Sequence, residues 1–332
     1  MTAPLPEETP DARESPDHGG NLDAAIARYG GTRADWLDLS TGINPVPYPV
    51  GDISQDSWTR LPDQAATDRL LVAARQFWKI PDAARIVAAP GASALIARMP
   101  DLTATTAAHI PGPTYNEHAR AFSKAGFPVN DPDRADSNTH VYVHPNNPDG
   151  RLWGAEIMGG RSLTIVDESF CDTIPDQSHV PFTGNTGIVV LKSFGKFWGL
   201  AGLRLGFAIG TPKTLAPPGL VSLTDLLGPW PVSGPALDIG ARALEDHAWA
   251  KATRARLAQD ATCLDTLLTA GGAHLVGGTP LFRLYQVDDA ARWQNRLAEH
   301  RVWSRIFPYS KTWLRLGLPA PDRWDQLRDA LP

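Results

Sequence analysis

The chain has 332 residues, 42% of them hydrophobic and 20% charged, an ordinary composition for a globular protein with a sizeable core. Its formal net charge of -5 and the lack of a basic block in the sequence argue against nucleic acid as its main partner. No apolar run approaches the ~20 residues of a membrane span, and the amino terminus shows no signal-peptide pattern. Two cysteines, Cys171 and Cys263, are too few and too distant for a disulfide scaffold or a metal cluster, so we expect a cytoplasmic protein without a bound metal.

The amino-terminal region combines a polar, proline-rich start with two glycine-containing segments. Residues 1–17 are predicted to be mobile. The segments His18–Asn21 and Thr41–Pro45 flank a predicted helix over Leu22–Tyr29 and place polar side chains beside glycines. A backbone can approach a ligand closely at glycine, so each segment is either a ligand contact or an ordinary turn.

The middle of the chain alternates helical and strand patterns, which is typical of an α/β fold with a mainly parallel sheet. Apolar residues at helical spacing predict an amphipathic helix over Asp68–Lys79, and Arg85–Ala89 is predicted to be a strand. Backbone amides at the start of the following helix can bind an anion. Strand–glycine–helix turns are common, so this turn alone is a weak sign of an anion site. The residues of this candidate phosphate seat are Gly91, Ala92 and Ser93.

Three later strand ends carry polar or aromatic side chains. Tyr115 follows a short strand, and Asn147 lies in the turn after the strand Val141–Val143. The strand Leu163–Val166 delivers Asp167 at its carboxyl end. An acid directly after four apolar or β-branched residues is costly to bury unless a cation pairs with it, so we expect a cationic partner for Asp167.

The stretch Leu191–Phe207 carries the strongest chemical signal. Lys196 lies on the turn beyond the β-branched strand Gly187–Leu191, among glycines and apolar residues that cannot hydrate a cation. Desolvation lowers the pKa of such an amine, and a lysine of this kind can form a Schiff base with an aldehyde. Ser193 and Arg204 add a hydroxyl and a fixed cation, which suit a phosphate ester. The stretch indicates an aldehyde that carries a phosphate; the competing interpretation is a surface lysine followed by an arginine in a helix turn.

The pattern Ser193-x-x-Lys196 followed by Gly202-Leu203-Arg204-Leu205-Gly206 resembles the signature of the pyridoxal-phosphate enzymes of the aspartate-aminotransferase fold. The resemblance implies an α/β fold of type I, with a mixed, mostly parallel sheet between helices and a smaller α+β domain. It implies that Lys196 forms an imine with the cofactor, Asp167 pairs with its ring nitrogen and Tyr115 stacks on its ring. The cofactor-binding residues that it implies are Gly91, Ala92, Ser93, Tyr115, Asn147, Asp167, Ser193, Lys196 and Arg204.

Three positions depart from that family's pattern. His144 replaces the first asparagine of the Asn-Pro-x-Asn-Pro-x-Gly turn. Phe170 replaces a tyrosine whose hydroxyl contacts the phenolic oxygen of the cofactor, so this oxygen relies on the Asn147 amide. Leu61 stands where aminotransferases have a tyrosine that reaches the neighbouring subunit's cofactor phosphate. The resemblance implies a homodimer with sites between the subunits, so the residue that makes this contact stays open.

The character of the chain changes after Gly210, and we predict a second unit from residue 229 onward. A break at Gly228–Gly234 precedes a helical region over Pro235–Ala270, which is one long helix or two. Short strands follow at Leu281–Tyr285, Val302–Phe307 and Trp313–Gly317. The predicted division is a large domain over residues 46–228 and a small domain over residues 229–332, which residues 18–45 join.

Arg305 and Arg315 each lie among apolar residues of these late strands. An arginine in such a place normally needs an anion, which either an internal salt bridge or a substrate can supply.

Four segments, His18–Asn21, Leu39–Pro45, Gly278–Arg283 and Leu314–Pro319, resemble the threonine-phosphate decarboxylases of cobalamin biosynthesis, a family close to the histidinol-phosphate aminotransferases. The resemblance implies decarboxylation of O-phospho-L-threonine to 1-aminopropan-2-ol O-phosphate, with Lys196 returning a proton to Cα. The substrate contacts that it implies are His18, Gly19, Asn44, Asn147, Arg305 and Arg315. In that family the two arginines grip the phosphate and the carboxylate of the substrate, and which arginine takes which anion stays open. An aminotransferase of the histidinol-phosphate type, and a retired enzyme that serves as a scaffold or regulator, are the alternatives.

Overall fold

The computed structural model of the chain describes residues 19–130 and 138–331, and the predictions for residues 1–17 and for His18 lie outside these residues. The strands are β1 (Leu37–Asp38), β2 (Arg85–Ala89), β3 (Ala108–His109), β4 (Thr139–Val143), β5 (Leu163–Asp167), β6 (Ile188–Ser193), β7 (Gly206–Gly210), β8 (His274–Thr279), β9 (Phe282–Gln286), β10 (Val302–Trp303), β11 (Arg305–Phe307) and β12 (Ser310–Gly317). The α-helices are α1 (Leu22–Tyr29), α2 (Gln55–Thr59), α3 (Gln64–Trp78), α4 (Ala92–Ile96), α5 (Asn116–Lys124), α6 (Pro212–Leu215), α7 (Leu223–Leu227), α8 (Gly234–Glu245), α9 (His247–Ala270), α10 (Ala290–Glu299) and α11 (Trp324–Ala330).

A six-stranded sheet forms the centre of the molecule, with the strand order β2-β7-β6-β5-β4-β3. β7 runs antiparallel to both of its neighbours, and the other pairs are parallel. One face of the sheet packs on α3 and α8, and the other packs on α4 and α5. Side chains alternate along a strand, so β5 sends Val166 to the first face and Ile165 to the second. Strands buried on both faces appear as continuous apolar runs, which is why the sequence predicts β5 and β6 so directly.

A four-stranded antiparallel sheet lies in the C-terminal part of the chain, in the order β11-β12-β9-β8. β1 pairs in parallel with β10, with Leu37 opposite Val302. The residues Leu22, Ala25 and Trp36 pack against Ala298 of α10. The amino-terminal segment thus contacts the C-terminal part of the chain. The division into two domains stays a prediction.

Three strands of the described residues, β1, β7 and β8, are not predicted from the sequence. β1 has only two residues. β7 begins and ends with glycine, and a Cβ on Gly206 would lie 2.5 Å from the Ala92 nitrogen, so close packing on the α4 turn requires glycine there. β8 contains Gly277 and Gly278, which weaken a strand pattern. The helical region after Gly234 is two helices, because Asp246 ends α8 and caps the first turn of α9.

The predicted fold class, an α/β protein with a mixed, mostly parallel sheet, is confirmed by this topology. Among the described residues, no helix is both long enough and apolar enough to cross a membrane.

Candidate active site

A cavity lies at the carboxyl ends of β4, β5 and β6, between the six-stranded sheet and the hairpin of β11 and β12. This is the edge where α/β sheets place their ligands. The structure brings most of the predicted site residues together here: Gly19, Ala92, Ser93, Tyr115, Asn147, Asp167, Ser193, Lys196, Arg204, Arg305 and Arg315. Gly91 lies directly against the guanidinium of Arg204.

Asp167 ends β5 and is buried, with 2% of its surface exposed. Ser169 donates to its Oδ1 from the backbone nitrogen at 3.0 Å and from the hydroxyl at 2.5 Å, and His118 Nε2 lies 2.8 Å from its Oδ2. Burial opposes ionisation, but the hydrogen bonds and charge of His118 and the hydrogen bonds of Ser169 outweigh it and lower the pKa of Asp167. The cavity therefore contains an ionised carboxylate that favours a cationic ligand atom.

His118 contacts the site through Asp167, although no sequence pattern singles it out and it is not among the described residues that line the cavity. It lies on α5, three residues after Tyr115, and is fully buried. Its Nδ1 has no hydrogen-bond partner among the described residues. The three-residue spacing from Tyr115 could have suggested a shared helix face, but no sequence pattern says that this face meets the end of β5.

Lys196 lies on the turn after β6, with its Nζ 5.5 Å from the centre of the Phe170 ring. Burial lowers the pKa of Lys196 to about 8; the charges of Arg315 and Arg204 also lower it, and Asp167 partly opposes them. About a tenth of such an amine is neutral at pH 7, far more than for an ordinary lysine. Lys196 can therefore attack a carbonyl carbon near neutral pH.

The part of the cavity around Arg204 favours a phosphate. Gly91 has a φ of 92°, and a Cβ there would lie 2.6 Å from Arg204 Nη2, so glycine lets the guanidinium rest on the turn. Arg204 itself has a φ of 53°, and its Nη1 donates to the Ala201 carbonyl at 3.2 Å. Ser93 and Ser193, which carry hydroxyls, also line the cavity. Hydroxyl and guanidinium groups are all donors to phosphate oxygens.

The described residues fit pyridoxal phosphate. One cavity combines a partly neutral amine at Lys196, an ionised carboxylate at Asp167 and the donors around Arg204. These are the groups that the aldehyde, the ring nitrogen and the phosphate of this cofactor require.

Arg305 and Arg315 lie directly opposite each other on the antiparallel strands β11 and β12. Like charges at opposed positions are unfavourable unless an anion lies between them. Arg315 is only 5% exposed and its Nε has no hydrogen-bond partner among the described residues, while Nη2 donates to the Ser40 carbonyl at 2.6 Å and Nη1 contacts Asn147 Oδ1. Burial, and then the charge of Arg305, lower the pKa of Arg315 to about 10. The pair therefore favours a bound anion.

Two predicted substrate contacts of the amino-terminal segment behave differently. Gly19 lines the cavity, and a Cβ there would lie 2.4 Å from the Ser40 carbonyl oxygen. Asn44 is buried and is not among the described residues that line the cavity. Its Nδ2 donates to the Phe197 carbonyl at 2.8 Å, and its Oδ1 accepts from Arg256 at 2.5 Å. Asn44 thus joins the amino-terminal segment to the Lys196 turn, and a contact of Asn44 with the substrate stays a prediction.

Aromatic side chains of the β11–β12 hairpin also line the cavity and are not predicted from the sequence. Phe307 and Tyr309 stack with ring centres 5.3 Å apart. Which side of a hairpin faces a cavity depends on strand register, which the sequence leaves open here.

In residues 19–130 and 138–331, no group of three or more histidine, cysteine or acidic side chains could hold a metal ion.

Comparison with known proteins shows which families the chain is similar to. Residues 141–331 match the family model described as aminotransferase class I and II. The chain is 41% identical over 322 residues to a threonine-phosphate decarboxylase from Sinorhizobium sp., covering 92% of this chain and 93% of the relative. It is 36% identical over 331 residues to a threonine-phosphate decarboxylase from Pseudomonas aeruginosa, with 95% and 97% covered. The solved histidinol-phosphate aminotransferase from Sinorhizobium meliloti, in complex with pyridoxal-5'-phosphate, matches with a TM-score of 0.76 at 17% identity, covering 93% of each chain, and so shares the fold.

Proposed function

The chain belongs to the class I and II aminotransferase family, and on this premise we propose that it decarboxylates O-phospho-L-threonine to 1-aminopropan-2-ol O-phosphate in cobalamin biosynthesis, with pyridoxal phosphate as cofactor. One observation carries the proposal. The opposed pair Arg305 and Arg315 adds two positive charges to a cavity that already has a separate phosphate seat at Arg204. A substrate that carries its own phosphate accounts for both sets of cations.

The cofactor would be held at three points by the residues described above. Lys196 would hold the aldehyde end, Asp167 the ring nitrogen, and Arg204 with Ser93 and Ser193 the phosphate. When bound, pyridoxal phosphate draws electrons from the substrate Cα and weakens whichever Cα bond stands perpendicular to its ring. The chain selects the reaction by fixing which bond that is.

Tyr115 and Asn147 are proposed to contact the ring and its phenolic oxygen. Burial, with the charge of Asp167, raises the pKa of Tyr115 to about 12, so its phenol stays neutral and suits a stacking role. Arg315 donates to Asn147 Oδ1, which leaves the amide nitrogen of Asn147 free to donate to the phenolic oxygen. Phe170 cannot share this task, because it lacks a hydroxyl.

Charge matching suggests how the substrate lies. A phosphate monoester carries between one and two negative charges at neutral pH, and Arg305 with Arg315 supplies two positive ones. If both arginines hold the phosphate, the α-carboxylate has no arginine of its own among the described lining residues, since Arg204 serves the cofactor. A carboxylate without a cationic partner is less stable as an ion, so it leaves more readily as neutral carbon dioxide. This placement favours decarboxylation over transamination.

Lys196 is proposed to complete the reaction. The Cα–carboxylate bond breaks, carbon dioxide leaves, and the bonding electrons remain with Cα. The protonated amine of Lys196 would then donate a proton to Cα. Its pKa of about 8 makes proton donation easier than from an ordinary lysine at neutral pH.

The proposal is tested by incubating the purified, cofactor-loaded protein with O-phospho-L-threonine and no keto acid. We expect carbon dioxide and 1-aminopropan-2-ol O-phosphate in equal amounts, identified by phosphorus and proton NMR. L-Threonine, which lacks the phosphate, should react far more slowly, because Arg305 and Arg315 then have no dianion to hold. A product that forms only when a keto acid is added would overturn the proposal.

A second candidate is an aminotransferase of the histidinol-phosphate type, favoured by the structural likeness to such an enzyme and by the same opposed arginines. Histidinol phosphate has no carboxylate, so it can only transfer its amino group. Formation of glutamate from 2-oxoglutarate and histidinol phosphate, at a rate above that for phosphothreonine, would support this candidate.

We also propose that the enzyme is a homodimer that works in the cytoplasm. Three large apolar side chains, Trp58, Leu61 and Trp230, are 57% to 66% exposed, and burying them in an interface would be favourable. The unpaired cysteines Cys171 and Cys263 suit a reducing compartment. Sedimentation at micromolar concentration tests the dimer, and replacement of Trp58 and Leu61 by serine should weaken it.

A further inference from the structure

A buried group of charges lies behind the cavity, on the face of the central sheet that packs on α3 and α8. It consists of Lys192, Glu168 and Asp172, here called the Lys192 cluster, and the proposed reaction does not use it. Lys192 Nζ lies 2.6 Å from Glu168 Oε2 and 3.2 Å from Asp172 Oδ1. The three residues are 1%, 1% and 4% exposed, and none is among the described residues that line the cavity.

The cluster is costly to bury and is well satisfied. Glu168 accepts a hydrogen bond from the Ser178 hydroxyl at 2.7 Å and another from the backbone nitrogen of His179 at 2.5 Å. Apolar side chains of similar volume would fill such a space at a lower cost in desolvation. The presence of two acids and a lysine therefore requires a reason other than packing.

Each member of the ion pair is the chain neighbour of an active-site residue. Glu168 follows Asp167, and Lys192 precedes Ser193. Because successive side chains of a strand point to opposite faces, Lys192 lies behind the sheet while Ser193 lines the cavity in front. The Lys192–Glu168 pair therefore joins the ends of β5 and β6 from behind, at the positions that present Asp167 and Ser193.

Asp172 closes the turn that carries Lys196. Its Oδ1 accepts from Lys192 before the turn, and its Oδ2 accepts from the indole nitrogen of Trp198 at 3.3 Å after the turn. Trp198 is fully buried and stacks on Phe194 with ring centres 5.1 Å apart. One carboxylate thus fixes both ends of the turn on which Lys196 lies.

We propose that Lys192, Glu168 and Asp172 are positioning residues that set the place of Lys196 relative to Asp167, and through it the affinity for pyridoxal phosphate and the acid–base behaviour of the bound cofactor. This inference rests on the cofactor assignment within the proposed function and not on the identity of the substrate. A protein that binds the cofactor as expected but does not decarboxylate phosphothreonine would refute the substrate and leave this inference standing.

The matched pair Asp172→Asn and Asp265→Asn tests the inference. Asp265 accepts from Arg283 at 3.0 and 2.7 Å and from Tyr285 at 2.7 Å, so its replacement breaks an ion pair on the C-terminal sheet, among residues that do not line the cavity. For each variant we would measure thermal unfolding of the apoprotein, the dissociation constant for pyridoxal phosphate, and the pH midpoint of the visible absorbance. Both variants should unfold at lower temperature. Only Asp172→Asn should raise the dissociation constant, by about tenfold, and shift the pH midpoint, because only it displaces Lys196.

Trp198→Phe gives a second test: it keeps an aromatic ring beside Phe194, removes the hydrogen bond to Asp172 and also removes part of the buried ring volume. It should change cofactor affinity and the pH midpoint in the same direction as Asp172→Asn, by a smaller factor. If Asp172→Asn fails to fold, the cofactor affinity and the pH midpoint of Trp198→Phe alone test the inference. Unchanged affinity and an unchanged pH midpoint in the variants that fold would overturn the inference and reduce the cluster to a purely structural role.

Discussion

The site has two halves that are built in different ways. The cofactor half, which consists of Lys196, Asp167, Ser193 and Arg204, lies on strand ends of one sheet and on the turns that follow them. The substrate half, Arg305 and Arg315 with Gly19, is assembled from a hairpin of the C-terminal sheet and from the amino-terminal segment. The first half depends on local sequence and parallel strand order, whereas the second depends on contacts between distant segments. Changes in the two halves should therefore have separable effects on cofactor and substrate.

The largest effect is expected from Lys196→Ala. Loss of the amine removes both the attachment point of the cofactor and the proton donor, so kcat should fall at least about a thousandfold. The visible absorbance of the loaded protein should also change, which a spectrum recorded after gel filtration would show. Retention of both turnover and the wild-type spectrum would contradict the assignment of Lys196.

Arg305→Met tests the substrate half alone. Removing one of two charge-assisted contacts should cost about 1.5–3 kcal/mol, which raises KM for phosphothreonine about ten- to a hundredfold. The dissociation constant for pyridoxal phosphate should stay near the wild-type value. Arg292→Met is the control, because Arg292 is 69% exposed on α10 and its loss should change neither quantity. An equal loss of cofactor affinity in Arg305→Met would show that the halves are not separable.

Gly91→Ala tests the cofactor half. The new Cβ would lie 2.6 Å from Arg204 Nη2 in a backbone with a φ of 92°, so the guanidinium must move and the affinity for pyridoxal phosphate should fall about tenfold. Gly126→Ala is the matched control: its φ is 86° and nothing lies within 4 Å of the added Cβ, so it reports backbone strain alone. Equilibrium titration of both apoproteins gives the comparison. Equal affinities in the two variants would mean that Arg204 does not bind the cofactor phosphate.

The smallest effect is expected on the pKa of Lys196 in the variant Arg315→Met, which tests whether the substrate half influences the cofactor half. The charge of Arg315 contributes to the pKa of about 8 at Lys196, so Arg315→Met should raise that pKa. Because only the neutral amine attacks the aldehyde, the rate of cofactor capture by the apoprotein should rise with pH through about 8 in the wild type. In the variant the midpoint should lie about half a pH unit higher. A midpoint that stays in place or moves lower would contradict electrostatic coupling across the cavity.

The contrast between the halves also explains what could be predicted from the sequence. Asp167 and Lys196 follow apolar runs that are plain in the sequence, and parallel strand order brings their ends to one edge. The sequence predicts Arg305 and Arg315 as two anion contacts, but their direct opposition follows from the register of β11 on β12, which composition does not determine.

Residues that act through others were the hardest to predict. His118 reaches Asp167 across two elements, and Asn44 bonds to Arg256 and Phe197 although it lies in a glycine-rich segment that suggests a ligand contact. Lys192 is a charged residue inside a buried strand, and its two acidic partners become visible only once β5 and β6 are paired. Sequence patterns report local geometry, whereas these roles depend on tertiary contacts.

The central claim is that the opposed arginines hold the phosphate and leave the carboxylate free to depart. It is tested most directly by supplying phosphothreonine together with saturating 2-oxoglutarate and measuring the ratio of carbon dioxide released to glutamate formed. The account predicts that carbon dioxide is in large excess and that its rate does not depend on the keto acid. Glutamate formation equal to substrate loss, with no carbon dioxide, would contradict it.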